Sequence, residues 1–170
     1  MLKGQDIVVL LSLAGDEPLT VREGAARAAF DIGGVSRALH RLSSAGLFDQ
    51  SSRQIRVLQA EEFLVHGLKY VFPPRMRGEA RGIPTAWAAE PLSQHLAATN
   101  EPPPVWAHPD GPLRGIAVDP LHAIAPEAAL RSPAIARRLA LVDALRMGDA
   151  RSRSLAKDLL HDELRQPAFA

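Results

Sequence analysis

The segment that decides the fold is residues 19–48, LTVREGAARAAFDIGGVSRALHRLSSAGLF. Thr20 and Glu23 have the spacing of a capping box, in which each side chain accepts a hydrogen bond from the backbone N–H of the other residue. This pattern predicts a helix that begins after Thr20 and packs closely against a neighbour through its several alanines. Phe30 and Asp31 interrupt the pattern, so the helix is predicted to be short.

A second helix is predicted from Ile32 to Ala45. Asp31 has the short acceptor side chain that is favoured at a helix N-cap, and Gly46 is typical of a left-handed C-terminal cap. Apolar residues spaced i, i+4 and i+7 are predicted to face the core: Val35, Leu39 and Leu42. The opposite face carries small residues and hydrogen-bond donors: Gly33, Ser36, Arg37, His40, Arg41 and Ser44. Such side chains are suited to contacting the phosphates and base edges of a nucleic acid.

A short β-hairpin is predicted after this helix. Residues 47–48 would form its first strand, residues 54–58 its second strand, and residues 49–53 a polar turn between them. Arg53 and Arg56 would then lie on the hairpin, where their positive charges add to those of the second helix.

The sequence resembles the winged helix-turn-helix family, and MarR-type transcriptional regulators in particular, through TVRE, VSRALHRL and the AGLF that precedes the hairpin. The resemblance covers about the first third of the chain. It implies that the helix from Ile32 to Ala45 enters the major groove of DNA while the wing contacts the adjoining backbone or minor groove. The predicted DNA-binding residues are Gly33, Ser36, Arg37, His40, Arg41, Ser44, Arg53 and Arg56.

Three glycines depart from the family pattern, and the first of them, Gly24, stands where the family usually carries a large apolar residue. Gly33 and Gly34 occupy the first turn of the second helix, where each costs about 1 kcal/mol of helix propensity relative to alanine. They leave backbone N–H groups able to approach a phosphate. Base recognition is therefore expected from four residues: Ser36, Arg37, His40 and Arg41. The alternative is a helical core element with an exposed basic face, or a winged helix used only for protein contacts.

Composition limits the class of protein. The 170 residues are 46% hydrophobic and 23% charged, which is typical of a soluble globular protein of one or two domains. The formal net charge of +1 is low for a DNA-binding protein, so binding would depend on local clustering or on dimerisation. One basic cluster contains Arg37, Arg41, Arg53 and Arg56. A second, either a solvated face or a binding surface, contains Lys69, Arg75, Arg77 and Arg81.

Three regions are predicted. Residues 1–72 would form the winged domain, with a first helix over Ile7–Ala14 and a last helix from Glu61 to Phe72. The middle region, residues 73–131, holds eleven of the fourteen prolines and both tryptophans. This proline density prevents long regular elements and leaves two alternatives, a disordered linker or an ordered irregular layer. Apolar residues favour order, and VWAHPDGPLRGIAV at 105–118 predicts a short hairpin with a Pro-Asp-Gly turn.

The C-terminal region, residues 132–170, is predicted to form a helical hairpin. Ser132 and Pro133 begin its first helix, Gly148 ends it, and Asp149 caps the second. Apolar residues line both helices: Ile135, Leu139, Val142 and Leu145 on the first, and Leu155, Leu159, Leu160 and Leu164 on the second. This surface exceeds what a small winged domain covers alone, which favours dimerisation or partner binding over packing on the core. The predicted fold is mainly α-helical with a small β wing.

A second resemblance concerns the whole chain. The segments LKGQDIVVLL, HGLKYVFPPR, RGIPTAW and LVDALRMGDARSR are similar to a group of bacterial winged-helix proteins that partner nucleotidyltransferase-type toxins. The resemblance implies an antitoxin or autoregulator whose middle and C-terminal regions bind another copy or a toxin. Composition and spacing by themselves indicate no toxin partner.

No constellation of residues indicates an enzyme. The six histidines are scattered without an H-E-x-x-H pattern, and Gly33–Gly34 lack the lysine and the preceding strand of a phosphate-binding loop. His108 beside Asp110 and His122 beside Asp119 are more typical of turn contacts than of a site. We therefore expect no catalytic residue, no metal and no cofactor. Without cysteine there is no disulfide or thiolate site.

The predicted function is sequence-specific binding of duplex DNA by a dimeric transcriptional regulator. The alternative is an antitoxin-like module that neutralises a partner protein, with the winged helix as scaffold or autoregulator. Localisation is expected to be cytoplasmic, because the apolar run at Ile7–Ala14 is too short to span a bilayer and no clear cleavage site follows it.

Overall fold

The computed structural model describes residues 1–16, 18 and 20–167. Three helices and a two-stranded hairpin come first: α1 (Gly4–Leu13), α2 (Val21–Ala28), α3 (Ile32–Ser44), β1 (Phe48–Asp49) and β2 (Gln54–Ile55). The predicted starts of α2 and α3 are confirmed. The Thr20 hydroxyl accepts a hydrogen bond from the Glu23 N–H at 3.2 Å, and the Asp31 carboxylate caps α3. Gly46 follows α3 with a φ of +76°, as a left-handed cap requires.

The second strand of this hairpin is shorter than predicted. β2 ends at Ile55, and a helix follows almost directly in three parts: α4 (Val57–Glu62), a π-helical segment (Phe63–Gly67) and α5 (Leu68–Val71). Ala60, Leu64 and Leu68 are buried at helical spacing, and this pattern prevails over the strand propensity of Val57. The helix ends before the Pro-Pro pair, as predicted.

The middle region contains a closed three-stranded barrel: β3 (Met76–Pro84), β4 (Pro104–Ala107) and β5 (Leu113–Val118). β3 pairs antiparallel with both other strands. Gly82 of β3 pairs with both of them: its partner in β4 is Ala107, and its partner in β5 is Leu113. β4 and β5 therefore run parallel to each other, with Pro104 opposite Ile116. The two predicted strands and the turn between them are confirmed, but their pairing as a hairpin is wrong, because β4 and β5 run parallel and each pairs antiparallel with the unpredicted β3.

Glycines permit the close approach of backbones in this barrel. A Cβ at Gly111, in the turn between β4 and β5, would overlap the backbone of Gly82. Two short 3-10 segments, Ala86–Ala88 and Leu92–Gln94, lie between β3 and β4. The proline-rich region is therefore ordered, and it is more regular than predicted because short strands tolerate proline at their ends.

Three helices complete the fold: α6 (Ala125–Arg131), α7 (Pro133–Met147) and α8 (Ala150–Glu163). α7 contacts α1, α5, α6, α8 and the first 3-10 segment. The predicted basis for dimerisation is wrong, because the chain covers its own leucine-rich surface: Leu139, Val142, Leu145, Leu160 and Leu164 are buried, and Leu155 and Leu159 are partly buried. The molecule is mainly α-helical with small β-sheets. None of the helices in the described ranges has the length and apolar composition to cross a membrane.

Buried polar groups tie α7 to the surrounding elements. The Asp143 carboxylate accepts hydrogen bonds from the Thr85 hydroxyl at 2.7 Å and from the Trp106 indole N–H at 2.8 Å. It also pairs with Arg146 at 2.7 Å, and Arg146 donates to the Phe72 carbonyl oxygen at 2.9 Å. Because buried polar groups require such partners, these bonds fix the barrel and α5 against α7.

Arg138 of α7 joins the ends of two other helices. Its side chain is fully buried and donates to the carbonyl oxygens of Leu11 and Ala14, at 2.6 and 2.9 Å. It also donates to the carbonyl oxygens of Glu163 and Gln166. These groups lie at the C-terminal ends of α1 and α8, where a positive charge is favoured. The guanidinium of Arg138 thus links the C-terminal ends of α1 and α8 to α7 through hydrogen bonds.

Candidate nucleic-acid interface

α3 has one buried and one exposed side. It packs against α1 and α2, and its buried residues are Gly34, Val35, Ala38 and Leu42. Leu39, predicted in the core stripe, is only partly buried. Five of the six α3 residues predicted to face solvent do so: Gly33, Ser36, Arg37, His40 and Ser44. The exception is Arg41.

A cleft of about 300 Å³ lies where α3 meets the hairpin. Its polar lining is formed by Thr20, Ser36, His40, Gln50 and Arg53. Its apolar lining includes Leu39, Phe48 and Ile55. The structure therefore brings together three predicted residues, Ser36 and His40 from α3 and Arg53 from the turn between β1 and β2.

The conformation of the β1–β2 turn places Arg53 in this cleft. The Asp49 carboxylate accepts hydrogen bonds from the backbone N–H groups of Ser51 and Ser52, at 2.8 and 3.1 Å. The backbone bonds from Ser52 and Ser51, and then the Arg56 guanidinium, lower the pKa of Asp49. Arg53 has a φ of +57°, a left-handed conformation that is uncommon for residues other than glycine. Such an outlier beside a cleft supports a functional hypothesis for the position.

Arg41 is turned away from the exposed face of α3. Its Nε and Nη2 donate to the two carboxylate oxygens of Asp6, at 2.8 and 2.6 Å. Asp6 is fully buried in α1 and also accepts from the Lys3 N–H at 2.8 Å. The hydrogen bond with Asp6 raises the pKa of Arg41. This pairing corrects the prediction that Arg41 lies on the exposed face of α3, because two of its donors satisfy a buried carboxylate.

Gly33 and Asp31 determine which hydrogen-bond donors the start of α3 presents to a phosphate. A Cβ at Gly33 would lie 3.1 Å from Nη1 of Arg37, so the guanidinium lies back along the helix towards its N-terminus. The Gly34 N–H donates to the Asp31 carboxylate. That carboxylate adds negative charge where a phosphate was expected to meet backbone N–H groups, so Arg37 is the better donor at this end of α3.

Ser44 and Arg56, like Gly33 and Arg37, do not line the cleft. The Ser44 hydroxyl, in the last turn of α3, donates to the His40 carbonyl oxygen at 3.0 Å. Arg56 forms an ion pair with Asp49 at 3.1 Å, in which both side chains are partly exposed. Both predicted residues are exposed, but each already uses a donor in a local bond.

Sequence reasoning missed two polar residues of the cleft, Thr20 and Gln50. Gln50 could have been found from its place in the predicted turn, beside Arg53. The capping box predicts only a capping role for Thr20, and nothing in the sequence indicates that the start of α2 faces the hairpin.

Two of the histidines outside α3 accept hydrogen bonds from nearby backbone N–H groups, and a third, His161, pairs with Glu61 at 2.8 Å. His108 Nδ1 accepts from the Asp110 N–H and His122 Nδ1 from the Ile124 N–H, each at 3.2 Å. Throughout residues 1–16, 18 and 20–167, no group of three or more histidine and carboxylate side chains is placed to hold a metal ion.

We compared the chain with protein-family models, curated proteins and solved structures, and none of the three comparisons found a match.

Proposed function

We propose that the N-terminal helices and hairpin form a winged helix-turn-helix that binds duplex DNA, and that the protein is a sequence-specific transcriptional regulator of the MarR type. One observation carries the proposal: Ser36 and His40 of α3 share a cleft with Arg53 of the hairpin. In helix-turn-helix proteins the second helix lies in the major groove. A wing can add DNA contacts only if its donors face the same side as that helix. Ser36 and His40 of α3 and Arg53 of the hairpin have this arrangement, because they line one cleft.

Position and chemistry suggest a role for each residue. Arg37, in the first half of α3, would donate two hydrogen bonds to a guanine edge, the commonest specific contact of arginine with DNA. Ser36 and His40 would contact bases or phosphates beside it. Arg53 would contact the phosphate backbone. Arg41 would have no direct role, because Asp6 holds it.

Homodimeric binding is the second part of the proposal, and it needs an interface other than the leucine faces of α7 and α8. Two copies would present α3 to half-sites about one helical turn apart. They would also double the basic surface of a chain whose net charge is +1. Light scattering of the protein alone and with DNA tests this part, and a monomer in both samples would contradict it.

Fragment capture tests the proposal as a whole. The full chain is mixed with sheared genomic DNA of its source, bound fragments are sequenced, and the affinity for a recurring fragment is measured against salt. We expect one sequence to be enriched and its affinity to fall as salt rises, because phosphate contacts release counterions. No retention of DNA at low salt would contradict the proposal. That result would favour the antitoxin-like alternative, whose partner, such as a nucleotidyltransferase-type toxin, is a protein.

A further inference from the structure

Two arginines face each other across neighbouring strands of the barrel. Arg81 of β3 and Arg114 of β5 are direct Cα partners in the antiparallel register. Partners in such a register project their side chains to the same face of the sheet, and both residues are exposed. Like charges placed directly opposite each other destabilise a strand pair. This pair therefore opposes the stability of the barrel.

No carboxylate relieves the repulsion within the described ranges. The ion pairs there include neither Arg81 nor Arg114, although Glu79 and Asp110 lie nearby in the sequence. Arg77, at the start of the same strand, is bound to Asp119 through Nε at 2.9 Å and Nη2 at 2.5 Å. The barrel thus pairs one arginine of β3 and leaves another beside a like charge.

Arg81 is nevertheless held in place. Its Nη1 donates to the Gly111 carbonyl oxygen at 3.2 Å, and its own carbonyl oxygen accepts from the His108 N–H at 3.0 Å. Gly111 in turn packs on the backbone of Gly82. The guanidinium is thus anchored through one donor on an exposed residue, which leaves further N–H groups for an anion.

We propose that Arg81 and Arg114 form a second contact site for the phosphate backbone of duplex DNA. This inference rests on the proposed function and extends it from the N-terminal unit to the barrel. The guanidinium fork matches phosphate geometry, and the two charges lie on an open strand face that a polymer of phosphates can reach. The site also explains how a chain of net charge +1 can hold a polyanion, because local positive charge matters more than the total.

The test compares the salt dependence of DNA binding between two double variants of the full chain. Arg81→Gln with Arg114→Gln removes the proposed site. The matched control, Arg151→Gln with Lys157→Gln, removes the same charge from exposed positions of α8. Fluorescence anisotropy with random-sequence duplexes of about 30 base pairs gives the slope of log K against log salt. The slope falls by about 0.9 for each lost phosphate contact, so we expect it to decrease by about two units in the first variant and to change little in the control.

The outcomes separate this inference from the proposed function. If Arg37→Ala weakens binding while the barrel variant keeps the wild-type slope, the second site is refuted and the proposed function stands. If both double variants lose slope equally, the effect is one of total charge, and the site is refuted again. A wild-type chain that binds no duplex at low salt overturns both proposals.

Thermal unfolding of Arg114→Gln gives an independent check. Because the substitution relieves repulsion with Arg81, the midpoint should equal or exceed that of the wild type. A clear decrease would show that Arg114 supports the barrel structurally, which would overturn its assignment as a binding residue.

Discussion

α3 and α7 both carry arginines, but the fold uses these arginines differently. On α3, Arg37 is exposed to solvent. On α7, Arg138 and Arg146 are buried and donate to backbone carbonyl oxygens of other elements. α3 has neighbours on one side, whereas α7 is surrounded by α1, α5, α6, α8 and a 3-10 segment. An arginine on an amphipathic helix is therefore available to a ligand only where no further layer covers it.

The largest expected effect comes from removing α7 and α8 by truncation after Arg131. The truncated chain loses Asp143 and Arg138, which bind the barrel and α1, together with all the buried apolar residues that α7 and α8 contribute to the hydrophobic core. We expect a chain without a cooperative thermal transition, because so much apolar burial is lost. Circular dichroism against temperature measures this. A folded fragment would contradict the account, because it would show that the remaining elements do not need α7 and α8.

The next largest effect is a difference in stability between variants of two adjacent arginines of α7. Arg138→Met should lower the free energy of unfolding by about 3 to 5 kcal/mol, because it leaves four carbonyl oxygens at two helix ends without their donor. Arg137→Met is the matched control, since Arg137 is only partly buried and pairs with Glu163 at 2.7 Å. It should lose less than about 1 kcal/mol. Denaturant titration compares them, and equal losses would refute the special role of Arg138.

The same contrast exists within α3. Arg41→Ala should destabilise the fold by about 3 kcal/mol, because it leaves the fully buried Asp6 carboxylate without its cation. Arg37→Ala should change the free energy of unfolding by less than about 0.5 kcal/mol, as exposed substitutions usually do. Urea unfolding of both variants measures the difference. If Arg41→Ala were as stable as Arg37→Ala, the Asp6 pair would not be part of the framework.

The smallest expected effect is a dependence of folding stability on pH, caused by His122 where it packs on the turn before α3. His122 contacts Phe30 with ring centroids 5.5 Å apart, and burial lowers its pKa, with Asp6 opposing. The unfolded chain therefore binds this proton more readily. Stability should fall as pH drops through the ordinary histidine pKa of about 6.5. His122→Phe should reduce this loss of stability, whereas His95→Phe, at an exposed position, should not. The measurement is the free energy of unfolding against pH for the wild type and both variants. The same pH dependence in all three proteins would show that His122 is not responsible for the loss.

The N-terminal unit was predictable because its signals are local. The Thr20–Glu23 capping box, the Asp31 cap and the Gly46 terminator each lie within a few residues of the boundary that they set. The exposed face of α3 and the position of Arg53 on the hairpin turn followed from the same short-range patterns.

The barrel and the role of Arg41 were missed because their causes are distant in the chain. β3, MRGEARGIP, lacks the alternation of a half-buried strand and forms because two later strands pair with it. The partner of Arg41 lies 35 residues earlier. The acceptors of Arg138 are backbone carbonyl oxygens, which any sequence contains. Helical periodicity could show a leucine face on α7 but not which elements would cover it.

We propose that the outward residues of α3 and the hairpin bind DNA while the inward arginines maintain the fold. The most direct test of this proposal is titration of a captured DNA fragment with folded Arg37→Ala, Arg53→Ala and Arg151→Ala variants. We expect Arg37→Ala to weaken binding by about 1 to 3 kcal/mol and to relax sequence preference. Arg53→Ala should weaken binding to all duplexes alike and lower the salt slope by about one unit, and Arg151→Ala, on α8, should bind as the wild type does. Unchanged affinity in both Arg37→Ala and Arg53→Ala would contradict the claim.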